Sequence, residues 1–427
     1  YIATGKQTRE PQGIWYTPIS GIWQTIWFEP VPKSYIEKLT FTPNIDASSL
    51  TVSVDVESAQ GEVMVQLLDK GNVVVTASAP VGSSEMIIPI KDQHLWSPED
   101  AFLYDVKVSL IQEGEEVDKV SSYAAMRKVS SVVDKDGHLR AQLNNKNYFM
   151  MGPLDQGWWP DGLYTTPSNE ALKFDIQKTK DLGFNTIRKH IKIEPECWYY
   201  YCDLLGMLVW QDMPSGDIHN MTEWSGRWTF LEKDPKQRSE ASMNQHYSDW
   251  EAIIDQLYNH PSIAVWVPYN EAWGQFNTIE VTQWTQKKDT TILVNAASGG
   301  NNFNVGDIID QHHYPSPKME FYAKDFINVL GEYGGIGLPV QGHMWQENGP
   351  NWGYVESENN DAVTNTYVEY ANMLLDLVPQ GYSAGIYTQT TDVEVEVNGL
   401  MTYDRKIVKV DEAKVREVNQ KLCKSLE

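Results

Sequence analysis

Cysteine and cationic side chains are both scarce in this 427-residue chain. Its three cysteines, Cys197, Cys202 and Cys423, form no CxxC pair and no cluster with histidine, so a structural zinc site is not expected. The 34 lysines and arginines are outnumbered by 58 aspartates and glutamates, which gives a net charge of −24. A chain this acidic is poorly suited to nucleic acid or to other polyanions.

Long apolar runs and glycine-rich phosphate turns are missing as well. No apolar stretch approaches the roughly 18 residues of a membrane-spanning helix, so we expect no membrane partner. Aromatic residues, in contrast, are abundant, with 16 tryptophans and 22 tyrosines. Aromatic rings stack on the C–H faces of sugars, which suits a carbohydrate site, although many of these rings must be ordinary core residues.

Residues 33–130 have the pattern of an all-β domain. Apolar and polar residues alternate with period two over Leu50–Val56, Val63–Leu67 and Tyr104–Leu110. Glycine-containing turn signals separate these runs. The segment is therefore predicted to be an immunoglobulin-like β-sandwich.

In residues 131–427, apolar strands alternate with helical stretches. Eight strands are predicted, at Tyr148–Met151, Thr186–His190, Leu208–Gln211, Ile263–Tyr269, Thr291–Asn295, Ile308–His312, Ile327–Gly331 and Ala384–Gln389. Helices are predicted near Asn169–Leu182, Glu194–Leu205, Gln237–Asn259, Thr278–Asp289 and Ser357–Leu377. This alternation predicts a (β/α)8 barrel. The alternative, an open doubly wound sheet, should show a glycine-rich turn after an early strand, and the sequence has none.

Two glutamates stand at the carboxyl ends of predicted barrel strands. Asn270 and Glu271 follow the fourth strand, and Glu332 follows the seventh. Either glutamate alone would more often be a solvated loop residue. As a pair in one barrel, however, they point into the same mouth. A retaining glycosidase needs such a pair, with one carboxyl protonated as the acid and the other ionised as the nucleophile.

Several motifs spread over nearly the whole chain resemble glycoside hydrolase family 2, the β-galactosidase, β-glucuronidase and β-mannosidase group. They are Ser20–Gln24, Leu95–Pro98, Leu182–His190, Gly206–Asp212, Asn270–Glu271 and the Gly-Glu-Tyr-Gly stretch at 331–334. Residues 1–32 resemble the end of that family's jelly-roll sugar-binding domain, of which most is missing here. The resemblance thus implies a remnant of that domain, the sandwich and the barrel, in this order.

The resemblance also implies roles for the residues that match these motifs. Glu271 corresponds to the general acid/base and Glu332 to the nucleophile, with no cofactor required. Arg188 is placed to stabilise the ionised nucleophile, and Asn270 to donate to the sugar 2-hydroxyl. Tyr314 is expected to hydrogen-bond the nucleophile.

Further residues are predicted to bind the substrate. Asp155 stands where an asparagine is common in β-galactosidases of the family. His312 and His313 are adjacent and alternate along a strand, so only one is expected to face the mouth; we assign His313 and expect no metal. The complete set of predicted substrate-binding residues is Asp155, Arg188, His190, Asp212, Asn270, Trp273, His313, Tyr314, Trp345 and Gln389.

The sugar is predicted to be neutral. β-Glucuronidases of the family hold the uronate with an Asn-x-Lys after the eighth strand, whereas this chain has Asn398-Gly-Leu400. The nearby Asp392, Glu394 and Glu396 would repel a uronate. We therefore expect a terminal β-galactose first, with β-glucuronidase, β-mannosidase or arabinosidase activity as alternatives. A non-catalytic carbohydrate-binding protein on a degenerate barrel is the alternative outside enzymes.

The resemblance to bacterial members of the family also bears on partners and location. An oligosaccharide or glycoside is the expected partner, and a homo-oligomer is possible. A periplasmic or secreted location is favoured over a cytoplasmic one.

Overall fold

A β-sandwich and a parallel barrel follow one another in the chain. The computed structural model describes residues 2–83, 85–217 and 223–427. Residues 2–32 form a mostly irregular segment that packs on the carboxyl end of the barrel, with short bridges such as Gln7 to Tyr16. Among the described residues, no helix is both long enough and apolar enough to cross a membrane.

Seven antiparallel strands form the two sheets of the sandwich. One sheet has the order β1-β2-β5 and the other the order β4-β3-β6-β7. Alternate apolar residues of these strands point into a shared core. The strands are β1 (Tyr35–Asn44), β2 (Ser49–Glu57), β3 (Glu62–Asp69), β4 (Asn72–Pro80), β5 (Met86–Pro89), β6 (Tyr104–Gln112) and β7 (Glu115–Ala124).

A three-stranded antiparallel ribbon closes the amino end of the barrel. It consists of β8 (Val129–Val133), β9 (Leu139–Leu143) and β10 (Lys146–Asn147). Its Ala141 and Leu143 share a core cluster with residues of the first barrel strands. The predicted boundary between residues 130 and 131 falls inside β8, because the ribbon packs with the barrel.

Eight parallel strands lie in chain order around the barrel, and seven of the eight neighbouring pairs are hydrogen-bonded as strands. They are β11 (Met150–Asp155), β12 (Thr186–Lys189), β13 (Leu208–Asp212), β14 (Ile263–Val267), β15 (Leu293–Val294), β16 (Ile308–His312), β17 (Ile327–Gly334) and β18 (Tyr382–Thr388). β11 pairs with β18, and a bridge from Asn295 to Ile308 joins the β15 and β16 sides. The predicted barrel is therefore confirmed.

In the part of the chain that the structure describes, six α-helices surround the barrel. They are α1 (Asn169–Asp181), α2 (Glu196–Leu205), α3 (Glu240–Leu257), α4 (Thr278–Lys288), α5 (Asn360–Leu377) and α6 (Glu412–Cys423). Ser168, Ser239, Asn359 and Asp411 cap four of them by accepting backbone N–H bonds. Within the described residues, no helix follows β15 or β16. The loops also contain two small pairs of parallel two-residue strands. These are Phe230–Leu231 with Asn302–Phe303, and Ile336–Gly337 with Val355–Glu356.

Candidate active site

The carboxyl ends of the barrel strands bring a dense group of polar side chains together. Arg188 lies in β12, Asp212 ends β13, His312 ends β16 and Glu332 lies in β17. Glu271 stands four residues beyond β14, in a turn where its φ is 53°. Its backbone N–H donates to the Ser298 carbonyl at 2.7 Å, which holds this left-handed turn in place.

The two predicted catalytic glutamates face each other. A carboxylate oxygen of Glu271, one of Glu332 and a ring nitrogen of His312 all lie within 4.8 Å of one another. Retaining glycosidases keep their carboxyl groups about 5 to 5.5 Å apart, whereas inverting enzymes leave a wider gap for water. This spacing suits direct attack by one carboxylate.

Glu271 has the environment of an acid. Its side chain is only 20% exposed. Burial raises the pKa of the Glu271 carboxyl to about 7, against the opposing positive charges of Lys6, Arg227 and Arg188. The group can therefore carry a proton near neutral pH and donate it.

Glu332 has the environment of an anion. Arg188 donates from Nη1 to Glu332 Oε1 at 3.2 Å, and the Tyr314 hydroxyl donates to Oε2 at 2.8 Å. The ring of Tyr354 stacks on Tyr314 at 3.6 Å between centroids, which fixes the direction of that donor. These two bonds hold the Glu332 carboxylate in a fixed orientation.

Arg188 connects the ends of several barrel strands. Its guanidinium donates to both carboxylate oxygens of Asp212, at 3.1 and 2.8 Å, and to the Gly331 carbonyl at 3.1 Å. It also donates to Asn270 Oδ1 at 2.8 Å. This bond turns the Asn270 amide so that its NH2 group is the one available to a ligand.

His312, and not the assigned His313, lies between the glutamates. Its Nδ1 is 3.2 Å from Glu271 Oε1 and 3.4 Å from Glu332 Oε2. Burial lowers the pKa of His312 to about 4, so the ring is neutral at pH 7. Gly299 permits this position, because a Cβ there would lie 2.3 Å from the His312 ring.

The structure directs His313 elsewhere. Its Nδ1 lies 2.6 Å from the Ser316 carbonyl, and its Nε2 lies 3.9 Å from Glu320. An irregularity in the β16–β17 register places His312 opposite Glu332, after Gln311 pairs with Leu330. The strand alternation predicted that only one histidine faces the mouth, and in the structure that residue is His312.

Two of the remaining predicted residues, His190 and Trp273, lie close to the glutamates. His190 lies near the glutamates, with its Nδ1 3.1 Å from Asp212 and 4.0 Å from Glu332. Trp273 follows Glu271 by two positions and is buried. Its ring packs on that of Trp15, with 4.8 Å between the ring centroids.

Three predicted residues make their contacts with protein groups around the site. Asp155 forms a buried ion pair with Lys189 at 2.7 Å. Gln389 bonds Gln156 and Asn398. Trp345 is 44% exposed and contacts Tyr403, and no described contact joins it to either glutamate.

Sequence reasoning missed several residues that shape the site. Ser298 lies 2.8 Å from the His312 ring, and Tyr354 stacks on Tyr314. Neither stands directly at the end of a predicted strand, and only the folded loops bring them in. Lys6, from the start of the chain, also acts on the site, because its positive charge opposes the rise in the pKa of Glu271.

The same three ligand atoms of Glu271, His312 and Glu332 could in principle hold a metal ion. Two oxygens and one nitrogen form a usable donor set. Arg188, however, already places a positive charge 3.2 Å from Glu332. That arrangement fits an anionic nucleophile better than a cation site.

Comparisons with known proteins agree with this geometry. Residues 34–127 match the family model described as glycosyl hydrolases family 2. Residues 145–422 match the family's TIM barrel domain. A β-galactosidase from Photobacterium profundum is 28% identical over 320 residues, covering 70% of this chain. A putative β-glucuronidase from Formosa agariphila is 29% identical over 266 residues, covering 59% of this chain. The chain spans 29% of the length of each of these relatives.

Solved structures show the same fold. An FMN-binding β-glucuronidase from Facaelibacterium prausnitzii superposes with a TM-score of 0.69 at 20% identity, covering 92% of this chain and 64% of that one. A putative β-galactosidase from Bacteroides fragilis gives a TM-score of 0.67 at 20% identity, covering 90% and 62%. The match to the family's TIM barrel model covers residues 145–422, which is most of the chain and includes both glutamates. The chain therefore belongs to glycosyl hydrolase family 2.

Proposed function

We propose that the protein is a retaining exo-glycosidase that releases a terminal, neutral, β-linked sugar, with galactose as the first candidate. One observation carries the proposal. Glu271 and Glu332 face each other within 4.8 Å, burial raises the pKa of Glu271 to about 7, and Arg188 and Tyr314 donate directly to Glu332. This is the division of labour that double displacement requires.

The first step forms a covalent intermediate. Glu332 attacks the anomeric carbon while Glu271 gives its proton to the glycosidic oxygen, so the bond to the leaving group breaks. The Glu332 carboxylate becomes an ester of the sugar, and Glu271 is left ionised.

The second step returns both groups to their starting state. Glu271 takes a proton from water, and the oxygen of that water attacks the anomeric carbon. The ester bond breaks, Glu332 is again a carboxylate, and the sugar leaves with its β configuration. The NH2 group of Asn270 is the donor that binds the 2-hydroxyl throughout.

Support for the sugar comes from relatives and from charge. Relatives named β-galactosidase match about 70% of this chain. Relatives and structural neighbours named β-glucuronidase make that activity the second candidate. Glu394 and Glu396, buried after β18, favour a neutral sugar over a uronate, whereas Asp392 is already paired with Lys409 at 2.6 Å. β-Mannosidase and arabinosidase activities are further alternatives, as is sugar binding without turnover.

A chromogenic panel with product analysis tests the proposal. The purified protein is given 4-nitrophenyl β-galactoside, β-glucuronide, β-mannoside and α-arabinoside, and the first-formed anomer is followed by proton NMR. We expect turnover of the galactoside with the β anomer appearing first. Preferred turnover of the glucuronide would reject the neutral sugar. Formation of the α anomer would reject the retaining mechanism. Binding without turnover of any substrate would support the non-catalytic alternative.

A further inference from the structure

Residues 223–228, part of the loop that follows β13, pack beside Glu271 through a shared turn. That turn follows β15, and its Ser298 carbonyl accepts the backbone N–H of Glu271 at 2.7 Å. One residue farther along, the Gly299 carbonyl accepts the indole N–H of Trp224 at 3.1 Å. Adjacent peptide groups of one turn therefore hold both Glu271 and the loop.

Arg227, in the same loop, lies against His312. Its Nη2 donates to the His312 carbonyl at 2.8 Å, and the ring of that histidine lies 3.2 Å from Glu271. The guanidinium carbon is 5.0 Å from the centre of the Trp228 ring, a cation–π contact that helps to hold the group in place. Burial raises the pKa of Glu271, and the charge of Arg227 opposes that rise, in agreement with these distances.

The charge of Arg227 has no counter-ion in contact. Among the residues that the structure describes, no carboxylate lies within 4.0 Å of the guanidinium, whose printed hydrogen bond goes to a backbone carbonyl. The pKa of Glu320 is lowered by Lys318, 2.8 Å away, and to a smaller extent by Arg227, so that acid already has a partner. The chain has 58 acidic residues and 34 basic ones. An arginine without an acidic partner at the mouth is therefore available to an anion of a ligand.

Two tryptophans of the loop are exposed on either side of this arginine in the sequence. Trp224 is 41% exposed and Trp228 is 44% exposed. Trp224 is nevertheless fixed through its indole nitrogen, at the turn that also holds Glu271. A fixed and exposed aromatic face is suited to stacking against the C–H face of a sugar ring.

We propose that Trp224 and Arg227 bind the leaving-group part of the substrate, and that this part is an acidic sugar. The inference rests on the proposed function and adds to it the substrate class on the other side of the cleaved bond. The leaving oxygen must lie beside Glu271 to receive its proton, so the unit that carries this oxygen extends over the elements packed next to Glu271.

The site lies on a different side of the mouth from the groups that serve the terminal sugar. Asn270 and Glu332 are both bonded to Arg188, which reaches them from β12. Arg227 and Trp224 instead contact the carboxyl end of β16 and the turn after β15. A neutral terminal sugar and an acidic neighbour can thus be bound by separate residues of one site.

The chemistry of Arg227 matches an anionic substituent. A guanidinium has five N–H donors in a planar fork, and the His312 carbonyl uses one of them. The others can bind two oxygens of a carboxylate or of a sulfate ester through charge-assisted bonds. Trp224 stacks on the ring that bears this group, and Arg227 binds the group itself.

Matched disaccharides test the site in the full chain. Wild type, Arg227→Gln, Arg227→Lys and Trp224→Ala are assayed with β-galactosyl fluoride, which has no second sugar. They are also assayed with β-galactosyl units joined in one linkage to glucose, to glucuronic acid or to glucose 6-sulfate. Arg416→Gln, at an exposed arginine of α6, is the matched control. Circular dichroism and thermal melting show which variants fold.

The expected results have a definite pattern. Wild type should hydrolyse at least one acidic disaccharide with a kcat/KM about tenfold or more above that of the neutral one. Arg227→Gln should abolish this preference, and Arg227→Lys should keep part of it, because an ammonium group has the charge but not the fork. Trp224→Ala should lower kcat/KM on every disaccharide by about tenfold relative to the fluoride. Arg416→Gln should keep the wild-type ratios. The better of the two acidic substrates identifies the anionic group.

Several outcomes would overturn the site. They are equal kcat/KM on neutral and acidic disaccharides in wild type, an acidic preference that persists in Arg227→Gln, or hydrolysis of the fluoride with no turnover of any disaccharide. If the fluoride is not hydrolysed either, the proposed function fails separately. Calorimetric titration with the glucuronic acid disaccharide then tests the site alone. Weaker binding by Arg227→Gln than by wild type supports it, and equal or absent binding rejects it.

Discussion

At the scale of single residues, the site depends on two glutamates of the same chemical type in different surroundings. Glu271 is buried with its positive charges at a distance, whereas Glu332 accepts direct bonds from Arg188 and Tyr314. The different surroundings of the two carboxyl groups therefore come from their neighbours and not from their residue type.

The raised pKa of Glu271 predicts a pH-dependent gain in stability from Glu271→Gln. Burial raises this pKa from 4.5 to about 7, so the folded protein resists ionisation of the group. The contribution of Glu271 to stability is complete below pH 4.5 and is lost as pH rises through 7. Glu271→Gln should therefore raise the free energy of unfolding at pH 8 by up to about 3 kcal/mol, with no gain at pH 4.

Urea denaturation at both pH values checks this expectation. The same variant should lose about 10²- to 10⁴-fold in kcat on an unactivated galactoside. Glu280→Gln, at an acidic position in the first turn of α4, serves as the control. An equal stability gain at both pH values would contradict the assignment of a buried, protonated Glu271.

The two adjacent histidines give a matched pair of variants. His312→Ala removes the ring that lies against both glutamates, so kcat should fall by about 10- to 100-fold. His313→Ala removes a side chain that faces Ser316 and Glu320, and its kcat should stay within about twofold of wild type. The assay is the hydrolysis of 4-nitrophenyl β-galactoside, and the reverse order of effects would contradict the geometry.

At the scale of elements, the pattern of apolar residues predicted the strands of the barrel well. The alternation of apolar strands and helices predicted all eight barrel strands to within a few residues, since buried parallel strands read as compact apolar runs. Helix α6 was missed, although Asp411 caps it and Val415, Val418 and Leu422 follow a helical period.

The details of the site were harder to predict. The irregular register between β16 and β17 decides that His312 faces Glu332, and backbone register is not visible in a single sequence. Tyr354 packs on Tyr314 from the loop after β17, 40 positions farther along the chain. The ends of the predicted strands showed which residues could lie together at the barrel mouth. The residues that loops add to the site depend on how those loops fold, which the sequence pattern does not show.

Arg188 connects three barrel strands, because it lies in β12 and its guanidinium donates hydrogen bonds to residues of β13 and β17. Arg188→Lys cannot reproduce the fork of bonds to Asp212, Asn270 and Glu332. We expect a loss of about 3 kcal/mol in the free energy of unfolding and at least about 100-fold in kcat. Denaturation and steady-state kinetics measure both, with the exposed Arg416→Lys as control. A change in stability with full activity would show that Arg188 only holds the barrel mouth together.

At the scale of the whole molecule, the sandwich supports the base of the barrel. Arg127, just after β7, donates to the carbonyls of Pro261, Ile263 and Thr291 at 3.1, 3.0 and 3.0 Å. Trp96 donates to the carbonyl of Asp203 at 2.8 Å. These bonds lie at the end of the barrel opposite the glutamates.

Arg127→Met should therefore affect stability and not chemistry. It leaves three buried carbonyls without their donor, so the free energy of unfolding should fall by about 3 kcal/mol. The KM and the kcat of the folded fraction should stay near wild type. Thermal melting with parallel kinetics checks this, and a large change in KM with an unchanged melting temperature would contradict a purely supporting sandwich.

Covalent trapping tests the central claim most directly. The protein is incubated with a 2-deoxy-2-fluoro-β-galactoside that carries a good leaving group, and labelled peptides are mapped by mass spectrometry. The fluorine slows hydrolysis of the glycosyl-enzyme, so we expect one label, on Glu332, that is absent from Glu332→Gln. A label on Glu271 or on another residue, or no label from an enzyme that hydrolyses the matching galactoside, would contradict the account.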